Sequence, residues 1–335
     1  MPGIGVISNR NSRLNRLNPE LKDQLAFVIG SDGDVSSTSS INDVYKAVET
    51  FRRIGIDIIA ISGGDGTAHR TMEIIIEVYG GSKIPPILLL PTGTMNMVPR
   101  SFGIAGSGLA NLLLADARYR HNIPMRCIQR NMLCVNNHVS FMFGVGVSAR
   151  FMKTFYEEGD RSPIGAAAIL TRLVSDALFD GQKTKYHLEP MDMTLEIDGK
   201  RVAEHAPLHT CFASFIERLP LHFVLFPRAG RKEGVFEVVY SKEKPLDIAK
   251  RFPAVLSGST LPDKVLVHAM AKHLTIRLAK PEIYTLDGEL YDPVDHFEIK
   301  AGPVIDFLVP ALQFAGEDEN LRYSKVGPWS MRYLL

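Results

Sequence analysis

A glycine-rich turn in the first third of the chain combines residues that can act on phosphate groups. The residues Gly63-Gly64-Asp65-Gly66-Thr67 lie between a strand-like and a helix-like segment. Glycines let the backbone approach a ligand closely, and exposed amides at the start of a helix favour phosphate oxygens. A carboxylate among these amides would repel a phosphate, so Asp65 is better suited to holding a metal ion or a proton in phosphoryl transfer. The alternative is a tight turn in which Asp65 caps the helix.

A second turn, Pro91–Asn96, follows the next strand-like segment. Its Gly93 permits another close approach of the backbone, and Thr94 and Asn96 can donate hydrogen bonds to phosphate or ribose oxygens. In doubly wound sheets, ligands bind in the crevice beyond the carboxyl ends of the strands. The two turns together therefore predict a single nucleotide site.

A third candidate, Asp287-Gly288-Glu289, lies late in the chain. Its two carboxylates flank a glycine, so the chain can bend and direct both into a cleft. A reacting hydroxyl needs a carboxylate that accepts its proton, and carboxylates also position magnesium. The alternative is a plain hairpin turn, because Asp-Gly is a strong hairpin signal.

The elements that must position these residues fall into two patterns, and the first covers residues 1–124. Strands alternating with helices predict an α/β domain with a doubly wound, mostly parallel sheet. The predicted strands are Gly3–Ser8, Leu25–Ile29, Ile56–Ser62 and Ile87–Leu90. The predicted helices are Ile41–Ile54 with Ser40 as its N-cap, Ala68–Tyr79, a short helix ending at Arg100, and Gly108–Ala117.

Residues 125–310 show the second pattern, in which short strands are joined by turns. This pattern predicts a C-terminal antiparallel β-sandwich domain. The predicted strands are Cys127–Val135, His138–Gly144, Met193–Ile197, Leu208–Phe215, Val235–Tyr240, Leu274–Leu278 and Phe297–Lys300. Helices are predicted at Gly165–Phe179 and Pro245–Ser257. We expect the tail, residues 311–335, to pack back on the first domain.

The order of three motifs resembles a known family. GGDGT at 63–67, PTGTMN at 91–96 and LDGE at 286–289 together resemble the diacylglycerol kinase catalytic-domain family, which includes bacterial lipid kinases, sphingosine kinases and ceramide kinases. GGDGT alone is shared with NAD kinases, and the ordered triple is more specific. The resemblance extends from Gly3 to about Pro310. It implies an ATP-binding α/β domain like that of NAD kinases, a β-sandwich domain, and a cleft where the loops around positions 65, 94 and 289 meet.

The resemblance also implies an activity and roles for individual residues. The activity is Mg²⁺-dependent transfer of the γ-phosphoryl group of ATP to a hydroxyl of a diacylglycerol-, sphingoid- or ceramide-like lipid. The implied catalytic residues are Asp65, Asp287 and Glu289, and which of Asp65 and Glu289 takes the proton stays open. Glu233 stands where an Asp is usual and is the implied metal ligand. The implied nucleotide-binding residues are Asn9, Ser12, Thr38, Gly63, Gly64, Gly66, Thr67, Gly93, Thr94 and Asn96.

Composition limits the other classes of function. The 335 residues suggest two domains, and 45% apolar residues suffice for sizeable cores. A formal net charge of +1 gives no field that would attract nucleic acid. Three scattered cysteines indicate reduced thiols in a cytoplasmic protein, and no secretory signal or spanning segment is recognisable. We therefore expect a cytoplasmic protein that contacts a membrane surface transiently. An exposed sandwich edge could support a homodimer.

Two rival functions remain. One is a kinase of a soluble acceptor such as NAD. The other is a non-catalytic nucleotide-binding regulatory protein, motivated by Met97 and Ser148, which replace Asp residues frequent in the resembled family.

Overall fold

The computed structural model describes residues 3–94, 96–159, 164–165, 168–169, 171–172, 185–217, 224–241, 266–310 and 321–324. The chain divides into two compact units. Unit 1 comprises residues 1–130 and 303–335, and unit 2 comprises residues 131–302. The division lies inside two strands that contribute to both units, whereas the predicted boundaries lie at the start of one of these strands and at the end of the other.

Among the described residues, unit 1 contains six α-helices, and the sequence pattern predicts three of its four N-terminal parallel strands, whereas the strand Asp34–Thr38 was not predicted. Its strands are β1 (Ile4–Asn9), β2 (Asp34–Thr38), β3 (Ile58–Gly63), β4 (Ile87–Pro91), the first half of β5 (Met125–Val135), the end of β14 (Glu289–Val309) and β15 (Leu321–Ser324). Its helices are α1 (Arg13–Leu17), α2 (Leu21–Ile29), α3 (Ile41–Ile54), α4 (Asp65–Tyr79), α5 (Met97–Ser101) and α6 (Gly108–Arg120).

The parallel strands run in the spatial order β2-β1-β3-β4. The chain moves outward from β1 to β2 and then returns past β1 to β3, so the strand order reverses between β1 and β3. Ligands bind at such a switch point, beyond the carboxyl ends of the strands. Asn9 pairs with Thr38, and Gly63 pairs with Pro91. The register therefore brings the ends of all four strands to one edge.

Burial explains why these segments form central strands. Every residue of β3 and β4 is buried, as expected for a parallel sheet covered on both faces. Helices α2 and α6 supply Leu25 and Leu112 to a core that contains Val6 and Leu88. Gly5 points the other way, because a Cβ built on it would meet the ring of Phe51 in α3. The α/β prediction for this unit is confirmed.

The predicted helix Ile41–Ile54 is confirmed in both bounds. The Ser40 side chain accepts a hydrogen bond from the Asp43 amide, and the Asp43 side chain accepts one from the Ser40 amide. This reciprocal arrangement satisfies two amides that a helix start otherwise leaves unpaired. The hydrogen bonds from Ser39 and Ser40 also lower the pKa of Asp43 to about 2.

The predicted strand Leu25–Ile29 is wrong, because these residues end α2. Leu21, Leu25 and Ile29 are the buried residues of this helix, and they are spaced four apart. The short apolar run at its end fits either structure, and a run of this length cannot be assigned by periodicity alone. Leu21 lies one helical turn before Leu25, and including it gives the four-residue spacing of apolar residues that indicates a helix.

Unit 2 consists mainly of antiparallel strands, as predicted. Its elements are the second half of β5, β6 (His138–Ser140), β7 (Met142–Gly146), α7 (Val147–Glu157), α8 (Lys185–Leu188), β8 (Met191–Ile197), β9 (Lys200–Leu208), β10 (Thr210–Ser214), β11 (Phe236–Ser241), β12 (Val267–Ala271), β13 (His273–Leu286) and the first part of β14. The order β12-β11-β10-β7-β13 is antiparallel throughout, and β13 also pairs with β8 and β14. One apolar core joins residues of β7, β8, β10, β11, β13 and β14.

Some predictions fall outside the described residues. The helix predicted at Pro245–Ser257 lies there entirely, and so does most of the tail, although β15 pairs with β5. Of the predicted helix Gly165–Phe179, only 165, 168–169 and 171–172 are described, and these are helical. Within the described ranges, no helix combines the length and the apolar character needed to cross a membrane.

Candidate functional site

The first glycine turn joins β3 to α4 with very little space. Gly63 ends the strand, Gly64 is the N-cap in an extended conformation, and Asp65 begins the helix. A Cβ on Gly63 would lie 2.4 Å from Cβ of Thr67, so no larger residue fits this entry into the helix. The 15-residue helix α4 then presents its N-terminal amides, with their partial positive charge, at the edge of the sheet.

The second turn lies directly against the first. A Cβ on Gly93 would lie 2.3 Å from the Cα atom of Gly64, so position 93 requires glycine for this contact, whereas a Cβ on Gly64 would lie 3.3 Å from the Cα atom of Gly93. Asn96 closes the turn in the left-handed conformation, with φ of 50°. Its side-chain oxygen accepts from the Gly93 amide, and its side-chain nitrogen donates to the Gly93 carbonyl, each at 3.0 Å. Thr94, between them, is partly buried.

Asp65 connects the two turns. Its Oδ1 atom accepts a hydrogen bond from the backbone amide of Val98, in the first turn of α5, at 3.1 Å. Asp65 is thus the first residue of α4, and its carboxylate is hydrogen-bonded to the backbone of α5. This geometry fixes a negative charge where the two glycine turns meet.

The turn after β1 reaches the same edge. Asn9 donates from Nδ2 to Thr67 Oγ1 at 2.7 Å, and its Oδ1 accepts from the Asn11 amide at 2.9 Å. Thr38 is buried, and its hydroxyl is 3.4 Å from the Ser8 carbonyl. The hydroxyl of Ser12 is buried without a hydrogen-bond partner among the described residues. A buried hydroxyl with an unmet hydrogen bond is suited to a ligand oxygen.

Unit 1 thus brings together the predicted residues of three separate turns. The contacts Asn9–Thr67, Gly64–Gly93 and Asp65–Val98 link the loops after β1, β3 and β4. Their binding of a nucleotide stays a prediction.

The Asp-Gly segment in unit 2 is a two-residue hairpin turn. Leu286 pairs with Glu289 across it, so β13 leads directly into β14. Asp287 and Gly288 have φ of 50° and 89°. Positive φ at both central positions is what the hairpin turn favoured by Asp-Gly requires. The hairpin alternative is thus confirmed as local structure, which leaves the role of the carboxylates to their contacts.

The two carboxylates of this turn differ. Asp287 is 3% exposed. Its oxygens accept from the amides of Phe141, at 3.0 and 3.1 Å, and of Met142, at 2.9 Å. These contacts hold the hairpin turn to the start of β7, which is a structural role. Glu289 is partly exposed, and its Oε1 lies 3.4 Å from the hydroxyl of Tyr156. A catalytic role for either residue stays a prediction, and the contacts of Glu289 suit it better.

Helix α7, which the sequence interpretation missed, packs beside this turn. The spacing of Ala149, Met152, Phe155 and Tyr156 could have indicated it. Near its start, the Ser148 hydroxyl is 2.6 Å from the position that a Cβ of Gly144 would take.

The missed helix also adjoins polar groups that no motif indicated. Thr285 pairs with Gly144 across the strands. The hydroxyls of Ser148 and Thr285 are both buried and have no hydrogen-bond partner among the described residues. In the same region of unit 2, burial lowers the pKa of His209, whose Nδ1 lies 2.8 Å from the Leu188 carbonyl.

The predicted metal ligand Glu233 is exposed in a turn before β11. The next residue, Gly234, donates its amide to Asn131 Oδ1 at 2.8 Å. Across the part of the chain that the structure describes, no group of three or more His, Cys, Asp and Glu side chains is placed to hold a metal ion. A metal site at Glu233 stays a prediction, as does the meeting of positions 65, 94 and 289 in one cleft.

Comparison with known proteins gives three findings. Residues 4–126 match the family model described as "Diacylglycerol kinase catalytic domain". The chain is 31% identical over 100 residues to a protein of Salmonella arizonae named "Probable lipid kinase YegS". It is 30% identical over 89 residues to a Citrobacter koseri protein named "Probable lipid kinase YegS-like". These alignments cover 30% and 26% of this chain and 31% and 29% of the two relatives, so less than a third of each relative is matched.

The fold is also similar to a solved structure. A structure of a diacylglycerol kinase from Bacillus anthracis aligns with 92% of this chain and 96% of its own, with a TM-score of 0.63 and 14% identity. At this level of identity the likeness concerns the fold, and it covers nearly the whole chain.

Proposed function

We propose that the protein is an ATP-dependent lipid kinase, because residues 4–126 match the family model described as "Diacylglycerol kinase catalytic domain". It transfers the γ-phosphoryl group to a hydroxyl of a diacylglycerol-, sphingoid- or ceramide-like acceptor. The observation that carries this proposal is the contact between the two glycine turns, with Asp65 hydrogen-bonded across them to Val98. A plain structural turn has no need of a charged side chain at the junction of two such backbones.

In this proposal the nucleotide binds at the carboxyl edge of the parallel sheet. The amides at the start of α4 face its phosphates, as helix N-termini do in other nucleotide sites. Thr94 and the hydroxyl of Ser12, which no described residue satisfies, supply further hydrogen bonds. Mg²⁺ usually binds through one or two carboxylates together with substrate phosphates. We therefore propose that it arrives with ATP and that Asp65 would hold it.

Unit 2 supplies the acceptor side of the proposed reaction. We propose that its antiparallel strands form the β-sandwich domain of the family and that Glu289 faces the acceptor hydroxyl. The hydroxyls of Ser148 and Thr285, which have no hydrogen-bond partner within the described ranges, suit a head group that carries hydroxyl or ester oxygens, because buried polar atoms are normally satisfied by a protein group or by a ligand.

The proposed reaction is an in-line displacement. The acceptor oxygen forms a bond to the γ-phosphorus while the bond from that phosphorus to the β,γ-bridging oxygen breaks, and ADP leaves with the electron pair. The acceptor proton passes to Asp65 or Glu289. Catalysis of this type relies on positioning of the reactants and on charge neutralisation. The two turns hold each other's backbones in place and so position the nucleotide phosphates.

We also propose that the protein works in the cytoplasm and reaches its lipid by contacting a membrane surface transiently. Sedimentation with lipid vesicles tests this part directly. The expected result is binding that depends on the presence of the acceptor lipid. Equal sedimentation with and without vesicles would contradict it.

The function is tested with labelled ATP, Mg²⁺ and a panel of lipid alcohols, with NAD as a soluble acceptor. The matched variant is Asp65→Asn, which keeps the oxygen that accepts the Val98 amide and removes the charge. We expect labelled lipid from the wild type, a loss of at least about 100-fold in the variant, and equal melting temperatures. Label on NAD alone would support the soluble-acceptor rival, and ATP binding without any product would support the non-catalytic one. Equal transfer by both proteins would remove Asp65 from the mechanism.

A further inference from the structure

Helix α7 is rigidly held at its N-terminal half. Arg150 is 2% exposed, and its guanidinium donates to the carbonyls of Tyr186 at 3.1 Å and Glu189 at 2.6 Å. It also donates to the Glu282 carboxylate at 2.9 Å. A buried cation with these partners is costly to move, because any displacement would leave its charge uncompensated. These contacts therefore anchor the N-terminal half of α7.

Near its C-terminal half, α7 meets the hairpin turn that carries Glu289. Six residues beyond Arg150, the Tyr156 hydroxyl lies 3.1 Å from the Gly288 carbonyl and 3.4 Å from Glu289 Oε1. The terminal methyl of Met152, one turn earlier, would be in ordinary contact with a Cβ on Gly288, at 3.6 Å. The buried Asp287 carboxylate secures the same turn to β7. The backbone of the turn is thus held by two independent sets of contacts.

The side chain of Glu289 is less constrained than the backbone of the turn. It is partly exposed and begins beyond the turn, so the Asp287 contacts do not determine its rotamer. The Tyr156 phenol has one proton, and the Gly288 carbonyl and the Glu289 carboxylate are both within its reach. A hydrogen bond to an ionised carboxylate is about twice as strong as one to a neutral carbonyl, so the phenol favours the rotamer that places the carboxylate beside it.

We infer that Tyr156 is a positioning residue that orients the Glu289 carboxylate for the acceptor hydroxyl. This inference rests on the proposed function, because it assigns a partner to a carboxylate of that reaction. It explains why a tyrosine, with its polar end, stands on α7 where the helix approaches the turn. Catalytic hydrogen bonds are often long in unliganded proteins and shorten in the reacting complex, which fits the 3.4 Å separation.

The test begins with Tyr156→Phe, which removes one oxygen and keeps the ring. We expect kcat for the lipid acceptor to fall about 10- to 100-fold, as for loss of one hydrogen bond to a charged group, with an unchanged KM for ATP. Tyr186→Phe is the matched control, because it removes the same atom from a neighbouring helix and keeps the ring 5.4 Å from the Arg150 guanidinium. We expect wild-type kinetics from this control.

A double-mutant cycle separates positioning from a merely structural role. If Tyr156 acts through Glu289, Tyr156→Phe has no further effect on kcat in a Glu289→Ala background. Multiplicative losses in the double variant would overturn the inference. An unchanged kcat in Tyr156→Phe would overturn it as well.

A crystal structure of Tyr156→Phe gives a readout that needs no activity. We expect the Glu289 carboxylate to leave its place beside Gly288 or to occupy several rotamers. An unmoved carboxylate would overturn the inference whether or not the protein is a kinase. Conversely, a wild-type protein that phosphorylates no lipid would refute the proposed function, and the crystal structure alone would then decide on Tyr156.

Discussion

The contact between Gly64 and Gly93 makes the proposed nucleotide site sensitive to a single methyl group. In Gly93→Ala, the new Cβ would lie 2.3 Å from the Gly64 Cα atom and 3.1 Å from the Gly64 nitrogen. Carbon atoms in contact are normally about 3.5–4.0 Å apart. Both partners are backbone, so no rotamer change relieves the overlap. The two turns must separate by about 1 Å or more.

The size of the effect follows from this displacement. Overpacking of this kind costs about 1–3 kcal/mol, which corresponds to a decrease of about 2–12 °C in the melting temperature of a domain of this size. A displacement of about 1 Å in a positioned site can cost about 100-fold in activity. We therefore expect Gly93→Ala to fold, to melt earlier, and to bind a non-hydrolysable ATP analogue about 10- to 100-fold more weakly.

Isothermal titration calorimetry and thermal melts measure both effects. The matched control is Gly5→Ala, whose Cβ would meet the Phe51 ring at 2.7–2.8 Å. Gly5 is four residues before Asn9 in β1, about 13 Å from the candidate site. We expect this control to lose stability and keep nucleotide affinity. Wild-type affinity in Gly93→Ala, or equal loss in both variants, would refute the argument that contact of the two turns shapes the site.

Three further outcomes follow from other contacts. Asp287→Ala leaves two buried amides without an acceptor, so chemical denaturation should show a loss of about 2–4 kcal/mol; a loss below about 0.5 kcal/mol would contradict that role. Asp43 has its folded-state pKa lowered to about 2 from 3.8, so its stabilisation is present above pH 4 and is lost as the pH falls towards 2. Asp43→Asn should therefore melt below wild type at pH 7 and together with it near pH 2, and a constant difference would contradict this. Burial raises the pKa of the Cys211 thiol, so this thiol should react with a disulfide reagent at pH 8 only after unfolding, as peptide mapping would show.

Where the sequence pattern was strong, it predicted the fold. Continuous apolar runs such as Ile87–Leu90 predicted central parallel strands, and Ser40 as N-cap marked the start of a helix to the residue. Both signals are local, so they can be interpreted without knowledge of the tertiary structure. The failure at Leu25–Ile29 has the opposite cause, since four or five apolar residues satisfy a strand and a helix equally well.

The sequence predicted which residues form the candidate site, but it did not predict the hydrogen bonds between them. The residue types indicated that Asp65 and the two glycine turns belong together, but the bond from Asp65 to Val98 depends on the position of α5. Likewise, the Asp-Gly signal could not distinguish the two carboxylates. Asp287 is occupied by backbone amides, whereas Glu289 meets a tyrosine from a helix that the sequence interpretation missed. Such differences arise from tertiary neighbours, which no local pattern encodes.

The last part of β14 has a consequence for how the protein is made. Phe307 pairs with Ile87 of β4, and its ring packs at a tilt against that of Phe102, with 4.6 Å between ring centroids. Leu308 is fully buried in the core that contains Leu88. Residues 131–302 are synthesised between the two parts of unit 1, so the first 130 residues must wait with an open sheet edge. Chaperones that shield unpaired strands would therefore matter most during that interval, and a fragment that ends at residue 130 should be prone to aggregation.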